Sequence, residues 1–93
     1  MNPGSVWALE DGSRRMVLSN ATYNESGLNR VITAVVNARE TTGFDPFAVN
    51  TEAGTVHADR IAMHPRHWLT KELGQVDDKT LAVVRAHLDF LLS

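Results

Sequence analysis

The chain has 93 residues, with nine Lys and Arg against eleven Asp and Glu and a formal net charge of -2. That length suits one domain, residues 1–93, with a core modest enough for a second copy to help it, and the balanced charge argues against broad nonspecific duplex binding while leaving room for a local basic groove. A 43% apolar fraction excludes a disordered chain, the lack of cysteine excludes disulfides and thiolate chemistry, and the lack of a long apolar run or secretory-type leader points to a cytoplasmic location with no membrane span.

In chain order, Pro3-Gly4 marks a loop and Ser5 to Leu9 reads as a first strand. Glu10-Asp11-Gly12-Ser13 is a turn signal, since Asp-Gly between apolar runs favours a tight hairpin. Arg14 to Ser19 is then a second strand, antiparallel to the first. Ser19 or Asn20 can cap a short helical turn that Gly27 ends. Arg30 to Val36 is rich in β-branched residues and suits a central strand covered on both faces. Asn37 to Gly43 reads as a loop, and Phe44 to Val49 as a weaker strand that Pro46 confines to an edge.

Asn50 to Gly54 is a turn into the alternating stretch Gly54 to Ala62. Pro65 can open a short helical turn anchored by Trp68, and Leu73 to Val76 is a short extended piece. Asp77 is placed to cap a terminal helix, in which Leu81, Val84, Leu88, Leu91 and Leu92 recur at helical spacing. The expected architecture is mainly β: strongly bent antiparallel strands in a small barrel-like sheet, with one C-terminal α-helix.

His57 and Asp59 sit two apart in the alternating stretch, so in a regular strand both point to one face. An imidazole and a carboxylate on one rigid face suit proton transfer, although from this stretch alone the solvated face of a half-buried strand is the favoured reading. Arg15 begins a strand beside a tight turn, and its planar fork suits a phosphate or carboxylate. Together the three can cleave RNA without a metal. One group takes the 2'-hydroxyl proton, another protonates the leaving 5' oxygen, and a cation stabilises the phosphorane. The same three can instead form a surface salt network. His64 and His67 are three apart but lack a third ligand unless His57 or Asp59 joins them, so no metal or other cofactor is expected.

Several short motifs, in order, resemble the MazF/PemK family of bacterial toxin–antitoxin endoribonucleases. These are Gly4-Ser5-Val6-Trp7, Arg15-Met16-Val17-Leu18-Ser19, Tyr23-Asn24, Gly43-Phe44-Asp45-Pro46-Phe47-Ala48-Val49 and Thr55-Val56-His57-Ala58-Asp59-Arg60, followed by the helix that Val76-Asp77 introduces. The resemblance implies an SH3-like barrel and a cytoplasmic homodimer that cuts single-stranded mRNA without metal, leaving a 2',3'-cyclic phosphate. It also implies inhibition by a disordered antitoxin segment.

By position, the resemblance gives Arg15 the role of the family's catalytic arginine. It places His57 and Asp59 where some members carry an Arg and an Asp as acid and base; Asp59 is expected as the base by that match, and His57 as the acid because an imidazole's ordinary pKa is about 6.5. Asn37 is expected to replace a hydroxyl contact to substrate, with Thr33 or Ser19 as weaker substitutes, and Arg14 and Arg60 are further expected substrate contacts. The chain departs from the family with Val36-Asn37 at the Thr/Ser pair, Met16 for Pro, Arg60 for Gln and a short first hairpin. Trp7, Val17 or Leu91 would supply apolar dimer area. The alternative reading is a non-enzymatic binding protein, either gyrase-directed like the similar CcdB family or catalytically degenerate.

Overall fold

The computed structural model describes residues 1–38 and 43–93. The Asp-Gly hairpin forms as expected between β1 (Ser5–Leu9) and β2 (Arg14–Val17). Gly12 turns it with φ +86, and Asp11 Oδ1 accepts from the Ser13 N–H at 2.9 Å. The helical turn α1 (Ala21–Asn24) is capped by the Asn20 side chain, which accepts from the Tyr23 N–H.

The β-branched run forms β3 (Arg30–Asn37), which lies between β2 and β5 in the sheet and is buried along most of its length. Asn37 is therefore the last residue of a strand and not the start of a loop; residues 39–42 of the expected loop lie outside the described residues. The expected strand from Phe44 to Val49 is displaced. Asp45 accepts from the Phe47 N–H at 3.0 Å in a turn at Asp-Pro, so β4 begins only at Ala48 (Ala48–Thr51).

The alternating stretch runs on as β5 (Gly54–Pro65), twelve residues long. A 3-10 turn (Arg66–Trp68) follows Pro65 and leads into β6 (Leu69–Gln75), longer than the piece read from sequence. Asp77 caps α2 (Asp78–Leu92) as expected, accepting from the Thr80 N–H at 2.7 Å.

All pairings are antiparallel and the strand order is β4-β5-β3-β2-β1-β6. The expected SH3-like barrel is not what forms: the sheet is open. Closure needs β4 to pair with β6, and among the described residues these remain the two outer strands. The turn after β4 and the end of β6 instead flank a cleft of about 790 Å³. α2 covers the adjoining face, where Leu81 and Val84 join Val6, Met16, Ala34, Val36, Val56 and Ala58 in the main core.

The helix extends beyond its support, so Leu91 and Leu92, expected in the buried stripe, are 39% and 75% exposed. A smaller cluster of Val17, Val31 and Leu69 lies on the opposite face. Val17 is fully buried there and has no area to offer a dimer interface. None of the described helices is long and apolar enough to cross a membrane.

Candidate functional site

The site is built by strand register. Trp7 pairs with Arg15, Arg15 with Val35, and Val35 with His57. Residues directly opposite one another share a face. Arg15 and His57 therefore share the face away from α2, two strand spacings apart, roughly 10 Å between Cα atoms.

Period-two alternation in β5 breaks at the site. Ala34 is opposite Ile61 and the next residue, Val35, is opposite His57, so residues 58–60 bulge out of register. His57, before the bulge, is 4% exposed, whereas Asp59 and Arg60, on it, are exposed. The shared face expected for His57 and Asp59 is thus reached through a bulge, with one group inside and the other outside.

His57 has a neighbour on each side. Its Nε2 lies 2.7 Å from the Asn37 amide nitrogen, and its Nδ1 lies 3.7 Å from Asp45 Oδ2. With the Asn37 nitrogen donating, Nε2 accepts and the ring proton sits on Nδ1, facing Asp45. Asp45 was missed in the sequence because it was read as part of a strand. Its Asp-Pro step was the available signal, since that pair favours a turn able to fold back. Facing donor atoms of Asp45, His57 and Asp59 all lie within 4.8 Å of one another.

Arg15 is half-buried. One of its terminal nitrogens donates to the Arg14 carbonyl at 3.2 Å, its Nε is buried without a partner, and no carboxylate pairs with it among the described residues. His64 is a second residue the sequence reading did not assign to this face. It is buried, its Nε2 lies 3.1 Å from Thr33 Oγ1, and its ring stacks at a tilt 5.9 Å from Trp68. Burial, aided by the positive charge of Arg15, holds its pKa below the usual histidine range.

The other expected contacts disperse. Thr33 is fully buried against His64. Ser19 Oγ accepts from the Ile32 N–H at 3.0 Å and donates to the Asn24 side chain, tying α1 to β3. Arg14 lies on the opposite face from Arg15, and its guanidinium donates to the Ala53 carbonyl at 2.8 Å. Arg60 stands exposed on the bulge.

An open antiparallel sheet with one terminal helix thus carries, on the face away from α2, an arginine that no carboxylate pairs with among the described residues, in the same row as a histidine between an amide and a carboxylate. No family model matches the sequence, and no curated protein matches it. Solved structures do. MazF from Deinococcus radiodurans superposes with TM-score 0.81 at 28% identity, over 99% of this chain and 96% of that one. A MazE–MazF complex from the same organism gives 0.83 at 28%, over 100% and 95%. An endoribonuclease from a mycobacterial species gives 0.83 at 21%, over 99% and 90%, a likeness of fold alone. The chain is a structural homologue of the MazF/PemK toxin–antitoxin endoribonucleases across nearly its whole length.

Proposed function

We propose that the chain is the toxin of a toxin–antitoxin pair and acts in the cytoplasm as a metal-independent endoribonuclease on single-stranded RNA. The observation that carries this reading is Arg15, with no carboxylate partner among the described residues, in register with His57 on a fold shared with MazF. Arg15 binds the scissile phosphate and stabilises charge on the phosphorane. Asp59, exposed on the bulge, takes the 2'-hydroxyl proton.

His57 supplies the proton for the leaving 5' oxygen. In the free protein its Nε2 is occupied by Asn37. As RNA enters, the Asn37 amide turns onto the phosphate and frees Nε2, which takes a proton from solvent and passes it to the leaving oxygen, while Asp45 stabilises the imidazolium from the other side. The product carries a 2',3'-cyclic phosphate.

A second copy pairs through Ile61 and Met63, which stand exposed two apart on β5. A disordered antitoxin segment inhibits the dimer; among the structural relatives, one MazF is solved with MazE and one endoribonuclease with its cognate antitoxin.

The test is cleavage of a long single-stranded RNA in EDTA by wild type, Arg15→Ala, His57→Ala and Asp59→Ala. Cyclic-phosphate ends from wild type that disappear in Arg15→Ala support the mechanism. A wild type inert on RNA that still binds an antitoxin peptide overturns it in favour of a non-enzymatic binding protein.

A further inference from the structure

We propose that Asp45, His57 and Asp59 form a binding site for a divalent transition-metal cation. The strongest observation is the state of His57. Its side chain is 5% exposed and Nδ1 has no hydrogen-bond partner, although buried ring nitrogens are normally satisfied. That nitrogen lies 3.7 Å from Asp45 Oδ2, and one donor atom from each of Asp45, His57 and Asp59 lies within 4.8 Å of the other two.

The spacing suits a metal. Ligand atoms about 2.1 Å from a tetrahedral zinc lie roughly 3.4 Å apart. Asp45 Oδ2 and His57 Nδ1 stand at 3.7 Å and need almost no adjustment. Asp59 closes the remaining gap by a rotation, which its exposed position on the bulge permits.

The surroundings suit one too. A metal-bound histidine donates its other ring N–H to a fixed acceptor, and Asn37 lies 2.7 Å from Nε2. Turning the Asn37 amide over presents its oxygen there, and metal on Nδ1 forces that tautomer. Two carboxylates offset the charge of a dication. One nitrogen and two oxygen donors favour zinc or manganese over soft cations, and three protein ligands leave a position for water.

A bound cation engages the Asp59 oxygen and cancels the Asp45 charge that supports the His57 imidazolium, so it holds RNA cleavage off. That consequence rests on the endoribonuclease reading; the binding does not.

The experiment titrates zinc chloride into metal-stripped protein by calorimetry, with the cobalt ligand-field spectrum as a second readout. Wild type is expected to bind a single zinc per chain and to melt at a higher temperature when saturated. Asp59→Asn, exposed and checked for folding by circular dichroism, is expected to bind at least about 10-fold more weakly, and Asn37→Ala about 10- to 100-fold more weakly. His67→Ala, away from the cluster, binds as wild type does. No binding at about 100 µM zinc, or equal affinity in wild type and Asp59→Asn, overturns the inference. If zinc binds as described while RNA stays intact in EDTA, the metal site stands and the endoribonuclease reading falls.

Discussion

Gly54→Ala tests how the turn into β5 supports the site. Gly54 adopts φ +126, a conformation costly for any residue with a side chain, on the order of 1–3 kcal/mol. An added Cβ would also overlap the Asn37 carbonyl oxygen and lie 3.0 Å from Val36 Cγ1. The carbonyl belongs to backbone in the central strand, so it cannot turn aside as a side-chain tip can. Overpacking of that kind costs a further 1–3 kcal/mol or so. A domain of this size is stable by roughly 5–14 kcal/mol, and about 1 kcal/mol moves its melting temperature by 4–8 °C. The expected fall is therefore on the order of 20 °C.

Gly12→Ala is the internal control. Gly12 has φ +86 but nothing within 4 Å of an added Cβ, so that variant carries the backbone cost alone. Thermal and guanidinium melts of both variants measure the difference. Asn37 must move in Gly54→Ala, so the His57 ring should also change its NMR shift there and not in Gly12→Ala. If Gly54→Ala melts no lower than Gly12→Ala, the close approach of the turn to Asn37 is refuted.

Other substitutions separate chemistry from stability. Arg15→Ala should lower RNA cleavage by about 10²- to 10³-fold, the usual loss for one charge-stabilising donor, as single-turnover rates will show. Met16→Ala, which empties a fully buried core position, should cost about 2–5 kcal/mol in denaturant unfolding. His64 has a folded pKa below its unfolded value near 6.5. Above that value both states are neutral, whereas at lower pH the unfolded state takes the proton first, so stability falls until the folded pKa is reached. His64→Gln should therefore lose less stability than wild type from about pH 7 to pH 5, read from denaturation midpoints.

Most elements were legible because they rest on local chemistry. Asp11-Gly12 marks the first hairpin, Asn20 and Asp77 carry side chains that satisfy helix N-termini, and the run from Arg30 to Val36 has the β-branched content of a central strand. The candidate site was half legible. Arg15, His57, Asp59 and Asn37 were named from residue type, spacing and the family resemblance, but Asp45 and His64 were not placed with them. Asp45 approaches His57 only because an Asp-Pro turn precedes β4, and His64 meets Thr33 only through the pairing of β3 with β5.

Local pattern therefore determined strand and helix identity, both helix caps and the donor-rich stretch around His57. Tertiary structure alone decided three things. It left the sheet open, because closure depends on two strands distant in sequence meeting, and a short β4 with α2 packed beside it stays apart from β6. It buried His57 while exposing Asp59, because a bulge is a mismatch between two strands and neither strand encodes it alone. It also decided which of Arg14 and Arg15 lies on the side that α2 covers, because alternation separates neighbours but only the packed sheet says which side that is.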